Sequence, residues 1–314
     1  MVDLGRAVLV RAPATTANLG PGFDALGMAL DWYEEAECAL STDGWVVRVS
    51  GPGAGAVPRG PDNLAARGAR AVLAAAGRPH AALRIALRLS VPVGRGLGSS
   101  AAAVAAGVVA ADALLGAGLP PEELVRLATE VEGHPDNVAP AILGGLCASC
   151  VAAGGARVLS VRLPPPPGLE ALAAIPDAVL RTAVARSVLP AAVPFADAVA
   201  NVQRACLLVA GLAAGRTDVL AEATCDRLHQ PYRAPLVPGL LGCLDAVRAA
   251  GAPGVFLSGA GPSILALVPA GPSPVRAAVE GILHDHLRAH GGGAVRRLGL
   301  AARGAHVVER RAPA

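Results

Sequence analysis

The clearest pattern in the chain is an alternation of apolar and polar residues that gives way to a run of small apolar ones. Residues 83–91 (LRIALRLSV) are apolar at every second position, which predicts a strand with one buried face. Residues 101–111 are mostly alanine and valine, which predicts a buried helix. Between them, PVGRGLGSS contains Gly94, Gly96, Gly98, Ser99 and Ser100. The sequence therefore predicts a strand, a glycine-rich turn and a helix.

The same patterns divide the rest of the chain into further elements. They predict strands over 6–12, 144–152 and 295–308, a strand pair over 30–50 around Asp43-Gly44, and strand–turn–strand over 254–268. They predict helices over 64–76, 120–132, 195–213, 217–227 and 273–290, and one ending near Gly251. Residues 13–30 are expected to form an irregular loop. The glycine pair 154–155 and the four prolines 164–167 predict a domain boundary near 155–168 and two domains, 1–160 and 161–314.

The glycine-rich turn has the design of an anion site. Glycines let the backbone approach a ligand closely, and the first N–H groups of a helix attract negative charge. A tight turn before a core helix is the alternative explanation. The turn matches neither common phosphate motif: all 27 basic residues are arginine, so the lysine of the Walker motif is missing, and the glycines are spaced G-x-G-x-G.

Composition narrows the class of function. A net charge of +3 with 2% aromatic residues gives little support for nucleic-acid binding. Of six cysteines, only Cys147 and Cys150 form a C-x-x-C pair, within a predicted strand, so we expect reduced core cysteines and no zinc site. The apolar run 101–111 is shorter than the ~20 residues of a membrane span, and the first residues lack a signal-peptide pattern. We expect a cytoplasmic protein without a membrane partner.

Several polar residues lie in predicted loops or at predicted helix ends. Asn18 and Asp24 either form a site or hold their loop through side-chain hydrogen bonds. Asn63 is placed to cap a helix, although it could also contact a nucleobase. Glu130 and Glu132 end a helix where carboxylates oppose its dipole, and the segment GHPDNVAP follows. That segment is either part of a site or a solvated polar loop.

Three segments, in this order, carry a resemblance to a known family: PATTANLGPGFDALGMAL, PVGRGLGSSAAA and LSGAGPSILAL. Together they resemble the GHMP kinases. The segments ANLGPGFDALG, EGHPDNVAP, ARSVLP and HQPYR are similar to the homoserine kinases among them. The resemblance covers residues 8–308. It implies a two-domain α+β fold, a homodimer, and Mg²⁺-assisted, ATP-dependent phosphorylation of the side-chain hydroxyl of L-homoserine. The product would be O-phospho-L-homoserine, the precursor of threonine.

The resemblance also implies roles for individual residues. The nucleotide would contact Asn63, Pro92, Val93, Gly94, Arg95, Gly96, Leu97, Gly98, Ser99, Ser100, Ala101 and Ala102. The metal would be held by Ser99 or Ser100 and by Glu130, with Glu132 as the alternative carboxylate. The substrate would contact Asn18, Asp24, His134, Asn137, Arg186, Arg233 and Gly259. The catalytic residues would be Asn18, Asp24 and Glu130.

The residue chemistry agrees with an amino-acid substrate. A carboxylate such as Asp24 suits an ammonium group, and the planar guanidinium groups of Arg186 and Arg233 suit a carboxylate. Mevalonate and sugars lack an amino group, so a mevalonate or sugar kinase of the same superfamily is the second possibility. A non-catalytic ATP-binding relative is the third, although the phosphate-turn serines and the metal carboxylate are present.

Overall fold

The computed structural model describes residues 6–155 and 157–311. The first five residues of the segment 1–10, for which the sequence predicts no signal peptide, lie outside this part. The strands are β1 (Ala7–Ala17), β2 (Leu26–Ser41), β3 (Val46–Ser50), β4 (Ala82–Arg88), β5 (Leu146–Val151), β6 (Val158–Leu163), β7 (Leu169–Pro176), β8 (Gly254–Leu257), β9 (Ile264–Pro269), β10 (Gly293–Leu298) and β11 (His306–Arg311). The helices are α1 (Leu64–Ala75), α2 (Ser99–Leu115), α3 (Pro121–Glu132), α4 (Pro135–Leu143), α5 (Thr182–Ser187), α6 (Phe195–Ala213), α7 (Leu220–Ala223), α8 (Gln230–Arg233), α9 (Leu240–Ala249) and α10 (Pro274–Ala289).

A seven-stranded sheet forms the first layer. Its strands run in the order β11-β1-β2-β4-β3, and β5 pairs with the beginning of β2 and then with β6. Only the β3–β4 pair is parallel among the pairs of this sheet that the structure describes. The long β1–β2 pairing shifts register between Pro13 and Ala14, and it brings both ends of the loop 18–25 to one edge of the cavity described below.

Helices α1 to α4 pack against this sheet around a nearly all-apolar α2. Most α2 side chains are buried, and the alanines of this helix let its neighbours approach closely. A Cβ atom at Gly107 would collide with the backbone of Ala65, and one at Gly68 with the carbonyl of Val104. The α1–α2 contact therefore depends on glycine at both crossing positions. This packing fixes the amino terminus of α2, where the glycine turn ends.

A second, four-stranded sheet has the order β10-β7-β9-β8, and all its pairs are antiparallel. One face of this sheet is covered by α9 and α10 through side chains such as Val247 and Leu283. The other face shares a core with the first sheet, where Met28 of β2 packs in the same cluster as Phe256 and Leu265. Burying each such large side chain contributes about 1.5–3 kcal/mol. The shared core holds the two sheets together beside the glycine turn.

Several expectations from the sequence are confirmed. The strand–turn–helix unit is present as β4, the glycine turn and α2, and α6 has the predicted bounds. Others are wrong. The strands β2 and β3 do not pair with each other, because β4 lies between them. The polar loop GHPDNVAP instead begins α4, and the helix predicted over 217–227 is only a short 3₁₀ turn followed by α7. The closing strand is two strands, β10 and β11, in different sheets.

The chain division expected at residue 160 falls inside β6. That strand pairs with β5 in the first sheet, and the final strand β11 returns to the same sheet beside β1. The two sheets therefore do not coincide with the two halves of the chain. The assignment of domains to 1–160 and 161–314 stays a prediction.

One described helix, α6, is long and apolar enough to cross a membrane by length and composition alone. Such a helix is weak support for a membrane span, because core helices of other proteins meet the same criterion. In this fold α6 packs through Leu208 and Leu212 into the core shared by the two sheets. Its Asn201 is buried and donates hydrogen bonds to Pro21 and Asp226.

Candidate active site

A cavity of about 360 Å³ lies where the two sheets meet. Its lining includes the loop 18–25, the glycine turn, the start of α4, the segment around α5, and the turn between β8 and β9. These segments come from distant parts of the sequence. The fold therefore brings together most of the polar residues that the sequence singled out.

The glycine turn is held in one conformation by both sheets. Gly94, Gly96 and Gly98 all have positive φ angles, of 70°, 74° and 67°. A Cβ atom at Gly98 would collide with the Thr15 side chain. The carbonyl of Gly96 accepts a hydrogen bond from Ser258 Oγ at 2.6 Å, which ties the turn to the second sheet. Glycine is therefore required both for the backbone angles and for the close approach.

The turn delivers the amino terminus of α2 to the cavity. Gly98 is the residue that caps α2, and it offers no side chain to the first N–H groups of the helix. Those N–H groups and the positive end of the helix dipole are therefore available to an anionic ligand. Residues 92–100, which the family resemblance assigns to the nucleotide, line the cavity.

The two serines that follow the turn have different partners. Ser99 Oγ donates to Glu34 Oε1 at 2.7 Å, and Ser100 Oγ donates to Glu132 Oε1 at 2.6 Å. Glu132 lines the cavity. Glu130 does not, because its carboxylate lies 2.5 Å from the guanidinium of Arg126 on the outer face of α3. The expected placement of Glu130 in the site is therefore wrong, and Glu132 takes that position.

Glu34 is a buried acid that the sequence analysis did not single out. Its side chain is inaccessible to solvent on β2, and of its two oxygens only Oε1 has a hydrogen-bond partner among the described residues. Burial raises the pKa of Glu34 to about 8, against the opposing effect of the Ser99 hydrogen bond. Through Ser99, the end of the glycine turn is hydrogen-bonded to a carboxyl group that is largely protonated at neutral pH.

The loop 18–25 presents two polar residues in an uncommon backbone conformation. Asn18 and Asp24 have φ angles of 70° and 57°, in the left-handed region that Asn and Asp tolerate better than other non-glycine residues. The Asn18 amide donates to Gly259 O at 2.9 Å and accepts from the Asp24 N–H at 3.0 Å. Asn18 therefore holds its loop, and it also lines the cavity.

Asp24 forms a two-point ion pair with Arg186. The distances are 2.6 Å from Nη2 to Oδ1 and 3.0 Å from Nη1 to Oδ2. The hydrogen bond to Asp24 and the charge of this carboxylate raise the pKa of Arg186. The guanidinium also lies 5.5 Å from the centre of the Phe23 ring. Two residues expected to contact opposite ends of a substrate thus contact each other.

Arg233 is a buried cation without an anionic partner among the described residues. It is 2% exposed, and it donates to the carbonyl oxygens of Ala185 and Gly259 at 3.1 and 3.0 Å. Burial and the nearby charge of Arg186 lower the pKa of Arg233 to about 10. A buried charge is costly unless it is paired. Because Arg233 also lines the cavity, it marks a place for a ligand anion.

His134, Asp136 and Asn137 meet at the first turn of α4. His134 Nδ1 lies 2.5 Å from Asp136 Oδ1, and Asn137 Oδ1 accepts from Thr15 Oγ1 at 2.8 Å. Burial lowers the pKa of His134, but the hydrogen bond and charge of Asp136 outweigh burial and raise the pKa above its ordinary value. Asp136 is 2% exposed. It belongs to the segment GHPDNVAP, but the sequence did not indicate it as a site residue.

Comparisons with known proteins agree with this arrangement. Residues 63–145 match the GHMP kinases N terminal domain and residues 208–283 match the GHMP kinases C terminal domain. A homoserine kinase of Moorella thermoacetica is 52% identical over 82% of this chain and 86% of that protein. One of Streptomyces avermitilis is 42% identical over 96% of both chains. The chain belongs to the homoserine kinase family.

A solved structure extends this family relationship to three dimensions. The crystal structure of homoserine kinase from Cytophaga hutchinsonii has a TM-score of 0.85 and 32% identity, and the match covers 96% of this chain and 97% of that one. The two-domain α+β GHMP kinase fold expected from the sequence is therefore confirmed.

Some residues that the family resemblance placed at the nucleotide have other partners. The Asn63 side chain caps α1 by accepting from Ala65 N, and it donates to Pro58 O while lining the cavity. The Arg95 guanidinium donates to backbone carbonyls, including Pro176 O at 2.7 Å. Ala101 and Ala102 are buried in the α2 core and do not line the cavity.

One group of potential metal ligands was found among the described residues, formed by Asp24, His134 and Asp136. Their donor atoms lie within 4.8 Å of one another. However, Arg186 already pairs with Asp24, and Asp136 pairs with His134. These contacts suit a polar or charged organic ligand better than a metal ion.

Proposed function

We propose that this chain transfers the γ-phosphoryl group of ATP to the side-chain hydroxyl of L-homoserine. The observation that carries the proposal is the buried Arg233, which has no carboxylate partner among the described residues and lines the same cavity as the Asp24–Arg186 pair and the amino terminus of α2. An α-amino acid brings a carboxylate and an ammonium group, which match these opposite charges. Membership of the homoserine kinase family supports the same substrate.

The nucleotide phosphates are assigned to the glycine turn. The N–H groups of the turn and of the first turn of α2 converge on the cavity, and the chain has no lysine to add a point charge there. Backbone N–H groups and the helix dipole therefore carry most of the protein's share of phosphate binding. Arg95 supports the turn through its backbone contacts.

Ser100, in the first turn of α2, and Glu132, at the end of α3, fit a magnesium ion. Ser100 Oγ and the Glu132 carboxylate are oxygen donors 2.6 Å apart at the cavity wall, and Mg²⁺ prefers oxygen ligands. Ser99 is engaged with Glu34, so Ser100 is the better candidate of the two serines. We assign Mg²⁺ to Ser100 and Glu132, where it would neutralise phosphate charge.

The remaining residues act by positioning. Asp24 is assigned to the ammonium group, and Arg186 and Arg233 to the carboxylate. The Asn18 amide has one N–H and one lone pair beyond its protein hydrogen bonds, with which to orient the hydroxyl. His134 and Asn137 complete the substrate wall. Phosphoryl transfer depends mainly on alignment and charge neutralisation, so no strong general base is required.

The test is an ADP-release assay with ATP and magnesium and a panel of L-homoserine, mevalonate, galactose, L-threonine and buffer. Turnover with homoserine alone is the expected result. Turnover with another alcohol in place of homoserine would keep the phosphate site and reject the substrate assignment. ATP binding without any turnover would favour the non-catalytic relative.

The metal assignment gives a prediction that separates two neighbouring acids. Glu132→Gln is expected to lower kcat by about 100-fold or more, because removing one well-placed electrostatic group costs about 3 kcal/mol in the transition state. Glu130→Gln is the matched control and should leave kcat within two-fold, since Glu130 faces Arg126 outside the cavity. The dependence of the rate on Mg²⁺ concentration should change only for Glu132→Gln. The reverse pattern would restore Glu130 to the site.

The homodimer and the cytoplasmic location stay predictions that rest on the family resemblance. A sedimentation experiment on the purified chain tests the first, and fractionation of the cells that produce it tests the second.

A further inference from the structure

Asp24 and Arg186 form an ion pair with each other through the same side-chain groups that are assigned to the substrate. Each carboxylate oxygen of Asp24 accepts from a different nitrogen of the guanidinium, at 2.6 and 3.0 Å. Both side chains line the cavity and are 36% exposed. A ligand group that binds the same carboxylate and guanidinium atoms therefore takes the place of one of the two residues.

We propose that this ion pair is a specificity gate for zwitterionic alcohols. A ligand with both an ammonium and a carboxylate group replaces both halves of the pair and leaves no charge without a partner. An alcohol with only one of these charges separates Asp24 from Arg186 but forms an ion pair with only one of them. The other residue is left without an oppositely charged partner. The inference rests on the proposed function and adds the device by which singly charged alcohols are rejected.

A second cation close to Arg186 makes an unpaired state costly, because the charges of Arg186 and Arg233 repel each other. Its guanidinium lies 5.5 Å from the centre of the Phe23 ring, and that of Arg233 lies 5.2 Å from the same ring. Phe23 itself stacks on the buried His229 ring at 5.2 Å. Two cations thus share one fixed aromatic ring, and Asp24 is the carboxylate that pairs with one of them. When Asp24 turns away, a ligand carboxylate must replace it.

The backbone of Asp24 is fixed while its carboxylate changes partner. The Asp24 N–H donates to Asn18 Oδ1 at 3.0 Å, and Asn18 is in turn held by the carbonyl of Gly259. The exchange between Arg186 and a ligand ammonium therefore requires a side-chain rotation and no movement of the loop. A rotation of this kind takes place within nanoseconds, so the gate would not limit turnover.

The test measures binding of two ligands that each lack one charge. 4-Hydroxybutanoate keeps the carboxylate and the hydroxyl, and 3-aminopropan-1-ol keeps the ammonium and the hydroxyl. Asp24→Asn frees Arg186 and is compatible with the left-handed backbone. It should bind 4-hydroxybutanoate about five-fold more tightly than the wild type, since a half-exposed ion pair is worth about 1 kcal/mol. Arg186→Gln should bind 3-aminopropan-1-ol more tightly by a similar factor.

Both variants should bind L-homoserine more weakly than the wild type does. Each variant therefore has a lower affinity for homoserine and a higher affinity for the ligand that lacks one charge. Dissociation constants are measured by ligand-observed NMR titration at constant ionic strength. Glu132→Gln is the charge-matched control, because it removes a carboxylate from the same cavity without freeing a guanidinium. It should change the affinity for 4-hydroxybutanoate by less than two-fold.

Three results would overturn the gate. The first is equal or weaker binding of 4-hydroxybutanoate to Asp24→Asn, which would mean that Asp24 orients Arg186 toward the carboxylate. The second is a gain for Glu132→Gln as large as that for Asp24→Asn, which would indicate long-range repulsion only. The third is binding of 3-aminopropan-1-ol to Arg186→Gln that is no tighter than to the wild type. This measurement decides alone if Asp24→Asn does not fold. Homoserine-dependent ADP release by the wild type separates these outcomes from failure of the proposed function.

Discussion

Replacing Arg233 with methionine is expected to raise the KM for L-homoserine by about 100-fold. Arg233 is buried at the cavity wall and no carboxylate among the described residues pairs with it. A charge-assisted pair with the substrate carboxylate would form there, and removing one partner of a buried charge pair costs about 2–5 kcal/mol. Steady-state kinetics with homoserine varied at saturating ATP is the measurement. The KM for ATP should change little, because the phosphates are assigned to the glycine turn and not to Arg233.

The thermal stability of Arg233→Met should rise or stay constant, although its affinity for the substrate falls. Burial lowers the pKa of Arg233, which means that the folded protein disfavours its charge. Methionine removes that cost, so the melting temperature of Arg233→Met should not fall much below that of the wild type. Arg227→Met is the matched control, because Arg227 pairs with Asp197 at the surface. An unchanged KM in Arg233→Met would remove this residue from the substrate site.

The fold could be predicted from the sequence wherever a local pattern decides the structure. The apolar period of α6 and the alternation in β4 indicate their elements directly. The pairing of β3 with β4 could not be found in this way, because which strands become neighbours depends on contacts between distant segments. The same limitation explains the final strands, since nothing near residue 300 indicates that the chain crosses from one sheet to the other.

The sequence indicated many of the polar residues that line the cavity, but it did not indicate which way their side chains point. The choice of Glu130 over Glu132 was wrong although the sequence held a signal: Glu130 lies four residues after Arg126, a spacing at which opposite charges pair on a helix. Asn63 was found at the cap that its position predicts. The Asp24–Arg186 contact joins residues 162 positions apart, so only the folded structure could show it.

Glu34 also had a signal in the sequence. The buried residues Ala36, Cys38 and Leu40 alternate along β2, and Glu34 is the next member of that series toward the amino terminus. The alternation therefore places an acid on the buried face of the strand. A buried acid without a cationic partner is unfavourable unless it is protonated, which makes this residue a source of pH dependence.

Stability is expected to fall as pH rises, and Glu34→Gln should remove much of that fall. In the unfolded chain Glu34 titrates near pH 4.3, whereas burial raises its pKa to about 8 in the folded protein. Between these values the folded protein keeps a proton that the unfolded chain releases. The contribution of Glu34 is therefore fully present below the lower pKa and is lost as pH rises to about 8, at about 1.4 kcal/mol per pH unit.

The measurement is the free energy of unfolding by urea at pH 6, 7, 8 and 9 for both proteins. The stability of Glu34→Gln relative to the wild type should increase with pH up to about 8 and then become constant. Other titrating groups, such as His134, contribute equally to both proteins and cancel in this difference. Glu35→Gln is the matched control, since Glu35 is the next residue of β2 but is partly exposed and lies near Arg11 and Arg88. If the difference in free energy of unfolding between Glu34→Gln and the wild type stays constant across this pH range, Glu34 is already ionised in the folded protein. Ser99, at the end of the glycine turn, would then donate its hydrogen bond to a buried carboxylate.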